Sequence, residues 1–291
     1  MGNVGLAITQ AFHLTGLLQY GIRRWADFEN QMTSVERVLQ YTEVEQEKQD
    51  GKTVKDWPHD GNITYDKVAL KYNDRKVLND ITFTIKPQQK IGVVGRTGAG
   101  KSSIISTLFR LYDIEGNVTI DGVDTQDLAL HFLRSNIAII PQDPVLISGT
   151  IRDNIDPLNQ HKDDDIWKII KIVKLEDVVT NLSDKIDVNA AFSAGQKQLI
   201  CLGRAIIRRN KIVVLDEATA NLDNETDSLI RNVIDENFAL CTVITIAHRL
   251  ASVLASDVVM VVDDGRIVEQ DEPKKLLENK NSLFFEMIKQ T

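Results

Sequence analysis

The sequence has few cysteines and no excess of basic charge, and each absence argues against a class of protein. Cys201 and Cys241 lie about forty residues apart without Cys or His at metal-ligand spacing, so we expect reduced thiols in a cytosolic compartment and no metal site made of protein ligands alone. The 34 Lys and Arg residues against 42 Asp and Glu give a net charge of -8. This balance disfavours a nucleic-acid partner, because duplex binding needs a basic face.

Residues 1–22 lack any charged side chain, and Arg23, Arg24 and Trp25 follow directly. A membrane span needs about 20 mainly apolar residues, with basic and aromatic residues at its cytoplasmic border. We therefore expect a membrane-embedded helix or the end of one. A soluble amphipathic helix is the alternative, because Gln10 and His13 are among the polar residues in the run. A signal peptide is disfavoured, since no basic segment precedes the run.

The remaining chain divides by composition into a linker and an α/β domain. A charged stretch over 43–56 ends at Trp57-Pro58, which predicts a linker over 43–60 between residues 1–42 and a domain over 61–291. Short apolar runs at 91–94, 212–215, 242–246 and 258–262 alternate with helical stretches such as 102–111 and 226–238. This alternation predicts an α/β fold whose central strands are parallel.

The segment 95–102 reads G-x-x-x-x-G-K-S and lies between a predicted buried strand and a predicted helix, which is the context of a phosphate-binding loop. The glycines allow backbone N–H groups to surround the β-phosphate of ATP, Lys101 reaches the β- and γ-phosphate oxygens, and Ser102 can bind Mg²⁺. A chance glycine-rich turn is disfavoured because both flanking elements agree. The predicted phosphate-binding residues are Gly95, Arg96, Thr97, Gly98, Ala99, Gly100, Lys101, Ser102 and Ser103.

Two carboxylates, Asp216 and Glu217, follow the apolar run 212–215. Ligands of open α/β sheets bind at the carboxyl ends of strands. Asp216 is therefore the predicted carboxylate partner of Mg²⁺, and Glu217 is placed to orient or deprotonate the attacking water. The alternative is a solvated acidic turn.

Residues 192–196, Phe-Ser-Ala-Gly-Gln, resemble the signature motif L-S-G-G-Q of the ATP-binding cassette (ABC) family, with Ser193 able to cap the following helix. The other motifs stand in the family's order: Tyr72 resembles the aromatic residue on which adenine stacks, Gln142 the Q-loop, residues 220–223 the D-loop, and His248 the switch histidine. Each motif read singly has a simpler interpretation. The signature would also suit a capped helix, Tyr72 a strand tyrosine, Gln142 a proline-flanked turn, residues 220–223 a helix cap at Asp223, and His248 a core histidine. Their common order favours the family.

The resemblance is strongest to the C-subfamily, or multidrug-resistance-associated, exporters, and in particular to their second cassette. It implies a P-loop ATPase cassette with a mainly parallel core sheet, an antiparallel β part and a helical signature subdomain, preceded by an N-terminal helix. Residues 1–42 would then end a transmembrane domain, with the ATPase on the cytoplasmic side of the membrane. Implied partners are transmembrane domains and a second cassette, which closes on this one around ATP and Mg²⁺.

In this resemblance the catalytic residues are Glu217, His248 and Gln142, and Mg²⁺ is held, partly indirectly, by Ser102, Gln142 and Asp216. The signature residues Ser193, Gly195 and Gln196 act on ATP bound to the partner. We expect weak ATPase activity from the isolated chain, because each site needs the other cassette's signature.

Two departures from the family pattern keep alternatives open. The chain is about five residues shorter than the family before Phe192, and Ala194 replaces a signature glycine. The shortening favours an orphan cassette that binds ATP with little turnover. A soluble ABC ATPase acting on DNA or ribosomes is a second alternative, which the acidic balance and the uncharged N-terminal run disfavour.

Overall fold

The computed structural model describes residues 2–73, 75–186, 192–216, 223–247 and 250–290, and the chain divides into two compact units, Met1–Lys48 and Gln49–Thr291. The first unit is built on α1 (Gly2–Thr42), as the sequence predicts, and none of its described residues is buried. Among the described residues, no helix has both the length and the apolar character that crossing a membrane requires.

The second unit is an α/β domain. Its strands are β1 (Ile63–Tyr72), β2 (Arg75–Ile85), β3 (Lys90–Gly95), β4 (Ile114–Ile120), β5 (Val123–Asp124), β6 (Ile137–Ile140), β7 (Gly149–Thr150), β8 (Lys185–Ile186), β9 (Ile212–Asp216), β10 (Thr242–Ile246), β11 (Val258–Asp263) and β12 (Arg266–Asp271). Its helices are α2 (Lys101–Leu108), α3 (Leu130–Ser135), α4 (Ile151–Ile155), α5 (Asp163–Ile172), α6 (Ala194–Arg208), α7 (Asn224–Asn237), α8 (Pro273–Glu278) and α9 (Leu283–Gln290), with 3₁₀ turns at Thr125–Asp127 and Leu250–Val253.

The central sheet has the strand order β12-β11-β3-β10-β9-β6, and all of these strands except β12 are parallel. Its inner strands are buried on both faces, which explains why they read as continuous apolar runs rather than as alternating ones. Ile246 of β10 lies opposite Val93 on one side and Asp216 on the other. The expected parallel core is confirmed, and it brings the ends of β3 and β9 to one edge.

A second, antiparallel sheet with the order β2-β1-β4-β5 shares its main hydrophobic core with the central sheet and α2. Tyr65 of β1 is fully buried there, stacks on Phe83 with ring centroids 4.3 Å apart, and donates a hydrogen bond to Ile104 O of α2. Burial raises the pKa of this tyrosine, so its hydroxyl stays protonated. The antiparallel part is thus fastened to the helix that follows the phosphate loop.

A third region is helical and packs α6 against α4, α5 and α7. Buried side chains of these helices join those of β6 and β9 in one core cluster. Helix α6 has an apolar face, including Leu199 and Leu202, that explains this packing. The predicted helical signature subdomain is confirmed.

The segment 49–57 pairs with the α/β domain through backbone hydrogen bonds. Lys52 N donates to Asp127 O (2.8 Å), and Ala129 N donates to Lys52 O (3.0 Å). Trp57 is only 4% exposed, and its indole N–H donates to Ile120 O (3.0 Å). Much of the stretch that its charge marks as a linker is therefore packed on the domain; we refer to residues 49–57 as the strap.

Candidate nucleotide-binding site

The phosphate loop connects the buried strand β3 to α2, and three of its glycines have positive φ angles: Gly95 (158°), Gly98 (81°) and Gly100 (107°). A Cβ at Gly95 would lie 2.2 Å from Val262 O, so a side chain has no room there. A Cβ at Gly98 would meet no described atom within 4 Å. The loop is therefore packed against the sheet at one end and open at its middle.

Helix α2 begins directly after the loop, with Gly100 in the left-handed conformation at its N-cap. Within the described residues, no side chain caps this helix end. The first N–H groups of a helix need acceptors and carry a partial positive charge. Phosphate oxygens supply both the acceptors and the opposite charge, so this helix start fits a nucleotide phosphate.

Lys101 is held inside the loop. It is 6% exposed, and its ammonium donates to Gly95 O (2.8 Å) and Arg96 O (3.2 Å). The neighbouring Ser102 is exposed, whereas Ser103 is buried. The ammonium of Lys101 therefore lies against the backbone of the loop, beside the exposed Gly98, where a phosphate group of a nucleotide would bind.

Asp216 ends β9 and is half-buried. Since the register places it two strands away from Val93 of β3, its backbone lies about 10 Å from that of β3. The structure thus brings Asp216 and the phosphate loop to one edge of the sheet. The predicted catalytic residues Glu217 and His248 lie outside the described residues, as do residues 220–222 of the D-loop motif.

Tyr72 ends β1 and reaches the helix that follows the phosphate loop, because its hydroxyl donates to Ser103 Oγ (3.3 Å). Its ring also forms a perpendicular pair with the ring of Tyr112, with centroids 4.6 Å apart. Tyr112 is not among the residues that the sequence predicts for the site, because forty residues separate it from Tyr72. The structure brings the predicted adenine platform to the phosphate loop.

The signature segment begins α6 with a capping box, as the Ser193 prediction requires. Gln196 N donates to Ser193 Oγ (3.2 Å), and Ser193 N donates to Gln196 Oε1 (2.9 Å). Gly195 is buried, and a Cβ there would lie 2.7 Å from Thr226 Cγ2. Ser193 itself is exposed, which leaves this helix start accessible to another molecule.

The Q-loop and signature segments are joined by a residue that the motifs do not include. Gln198 is 1% exposed, and its amide donates to Pro141 O (3.0 Å), next to the exposed Gln142. Sequence reasoning could have found Gln198, because it is a polar residue on the otherwise apolar face of α6.

At the D-loop motif, Asp223 caps α7 by accepting a hydrogen bond from Thr226 N (2.9 Å), and this backbone donor lowers the pKa of Asp223.

The comparisons with known proteins agree with this geometry. Residues 78–220 match the family described as ABC transporter. The chain contains an ABC transporter cassette. ATP-binding cassette sub-family C member 4 of Homo sapiens is 48% identical over 99% of this chain and 23% of that protein. A probable multidrug resistance-associated protein of Drosophila melanogaster, lethal(2)03659, is 47% identical over 97% of this chain and 22% of that protein.

A solved structure supports the same assignment. A bacterial Atm1-family ABC exporter with ATP bound is 30% identical, with a TM-score of 0.75 over 85% of this chain and 44% of that chain. The predicted ABC cassette fold and the likeness to the C-subfamily are confirmed. The chain spans less than a quarter of the length of the two curated relatives named above.

Proposed function

We propose that this ABC cassette binds and hydrolyses ATP to power the export of organic anions or xenobiotics by a larger membrane transporter. The observation that carries the proposal is the phosphate loop, which holds the buried Lys101 and leads into a helix start that no described side chain caps, at the edge of the sheet where β9 ends with Asp216. The similarity to C-subfamily transporters supports export over the role of an orphan cassette or of a soluble ATPase on DNA or ribosomes.

In this proposal the residues around the loop hold ATP in a fixed orientation. The N–H groups of residues 96–103 bind the β- and γ-phosphates, and the Lys101 ammonium compensates their charge. The adenine stacks on Tyr72, a contact worth about 1–3 kcal/mol that tolerates different bases. Phosphoryl transfer depends mainly on such positioning and charge compensation.

The oxygen atoms near the loop suit Mg²⁺, which prefers hydroxyl, carboxylate and amide oxygens. Ser102 exposes a hydroxyl at the start of α2, and Asp216 presents a half-buried carboxylate at the end of β9. We assign these two residues, with Gln142 acting partly indirectly, to the metal. Bound Mg²⁺ would neutralise negative charge on the β- and γ-phosphate oxygens.

The remaining roles follow the family resemblance. Glu217 orients or deprotonates the attacking water, and Gln142 and His248 complete this half of the catalytic site. Ser193, Gly195 and Gln196 act on the γ-phosphate of ATP bound by a second cassette, and the exposure of Ser193 at a capped helix start supports this role. The isolated chain is therefore a slow ATPase.

The proposed partners are a second cassette and transmembrane domains. Residues 1–42 would end the last transmembrane domain, and the apolar side chains that α1 exposes, such as Leu17 and Trp25, support burial against other segments. The cassette would then lie on the cytoplasmic side of a membrane.

Substitution of Glu217 by Gln tests the hydrolytic role. We expect the variant to bind ATP with unchanged affinity and to lose steady-state turnover, because the amide cannot accept a proton from water. Phosphate release and ATP binding by calorimetry are the measurements. Glu225→Gln, at an exposed acid in the first turn of α7, is the matched control and should keep wild-type turnover.

Unchanged hydrolysis by Glu217→Gln would contradict the assignment of that residue. An orphan cassette predicts a different result, in which the wild-type chain binds ATP but releases no phosphate even in a single turnover. That outcome would favour the shortened segment before Phe192 as the cause of the lost hydrolysis.

A further inference from the structure

Among the described residues, the side chain of Tyr72 packs on the edge of the main core, bonds to Ser103 through its hydroxyl and meets a second aromatic ring. The hydrogen bond from the Tyr72 hydroxyl to Ser103 Oγ lies on the axis about which the ring rotates. Rotation about that axis leaves the hydroxyl in place, so this bond fixes the end of the side chain and not its plane. The plane needs a lateral contact.

Tyr112 supplies an aromatic contact of this kind, in addition to the packing of Tyr72 on the core. Its ring lies at 77° to the ring of Tyr72, with the centroids 4.6 Å apart, which is a favourable edge-to-face geometry. Tyr112 is 50% exposed, so core burial alone does not account for an aromatic residue here. By contrast Phe109, three residues earlier, is buried in the main core.

We propose that Tyr112 is a positioning residue for the base of the bound nucleotide: its ring holds Tyr72 in the plane on which a purine stacks. The inference rests on the proposed function, since it concerns how this cassette binds ATP. A platform that is already oriented loses less conformational freedom on binding, and that difference appears as affinity for the base. The affinity for the phosphates does not depend on the orientation of Tyr72, because the loop binds them.

The test compares ATP with inorganic tripolyphosphate, which lacks the base, both with Mg²⁺ and measured by calorimetry on the full chain. We expect Tyr112→Ala to weaken ATP binding about 2- to 10-fold, the range that one aromatic pair contributes, and to leave tripolyphosphate binding unchanged. Tyr112→Phe keeps the ring and should restore ATP affinity. Leu111→Ala, at a neighbouring side chain that is 49% exposed, is the control and should bind both ligands like the wild type.

Equal weakening of both ligands by Tyr112→Ala would overturn the inference, because it would show general damage to the loop. Tighter ATP binding would also overturn it, since Tyr112 would then occupy the surface that the base needs. If the wild type binds ATP and Tyr112→Ala binds it equally well, only the inference fails. If the wild type binds neither ligand, the proposed function fails and the inference falls with it.

Discussion

Two glycines of the phosphate loop are required for different physical reasons, which a matched pair of substitutions separates. In Gly95→Ala the new methyl group would lie 2.2 Å from Val262 O, so β3 or β11 must move. We expect a loss of about 2–4 kcal/mol in the free energy of unfolding. In Gly98→Ala the methyl group meets open space, and only the positive φ of 81° is unfavourable, at about 1–2 kcal/mol.

Urea unfolding of both variants measures the difference. An equal loss in the two variants would show that backbone conformation, and not the contact with Val262, sets the requirement at Gly95. The wild-type chain is the reference for both, and the slope of the unfolding transition should stay unchanged, because neither variant alters the surface exposed on unfolding.

At this scale the sequence predicts what depends on local spacing. The phosphate-loop motif and the reciprocal cap of Ser193 and Gln196 involve residues close together in the chain, so their geometry follows from residue type and order. The contact between Tyr72 and Tyr112 and the bond from Gln198 to Pro141 join distant residues. Only the folded chain brings such pairs together, and no local pattern indicates which residue pairs with which.

At the scale of elements, the strap 49–57 lies so close to the domain that Gly51 has no room for a side chain. A Cβ there would lie 2.3 Å from Ala129 N and 2.3 Å from Leu128 C. We expect Gly51→Ala to break the pairing of the strap. The amides of Lys52 and Ala129 should then exchange hydrogen on the order of tenfold faster or more, as a local loss of ~1.4 kcal/mol produces.

Hydrogen exchange followed by mass spectrometry or NMR measures this effect. Gly16→Ala is the control, because a Cβ at Gly16 of α1 would meet no described atom within 4 Å. It should leave both amides as protected as in the wild type. Unchanged protection in Gly51→Ala would show that the strap adjusts around the methyl group.

The sequence predicted the central strands better than the strap, for a physical reason. Strands buried on both faces must be apolar throughout, so the runs at 91–94 and 212–215 mark β3 and β9 closely. The strap is held mainly by backbone N–H and C=O groups, such as those of Lys52, and these leave no mark in the side-chain pattern. The charged side chains of the strap favour the prediction of a linker, because they are exposed while its backbone is paired with the domain.

At the scale of the whole molecule, the two units differ in how their side chains are buried. None of the described residues of α1 is buried, whereas the second unit has a continuous core under both sheets and around α2. A chain limited to 49–291 keeps that core and the strap. A chain limited to 59–291 loses the strap, and with it the buried indole of Trp57, which packs on Phe132 at 5.6 Å.

We therefore expect the thermal midpoint of 49–291 to lie within about 2 °C of that of the full chain, since none of the described residues of α1 is buried. The midpoint of 59–291 should fall by roughly 6–20 °C, because losing a buried tryptophan costs about 3–5 kcal/mol and each kcal/mol shifts the midpoint of a domain this size by about 2–4 °C. Trp57→Ala in the 49–291 chain separates the indole from the rest of the strap and should account for most of the fall. A similar fall on removing 1–48 alone would instead show that α1 stabilises the cassette, and the boundary at residue 49 would then be wrong.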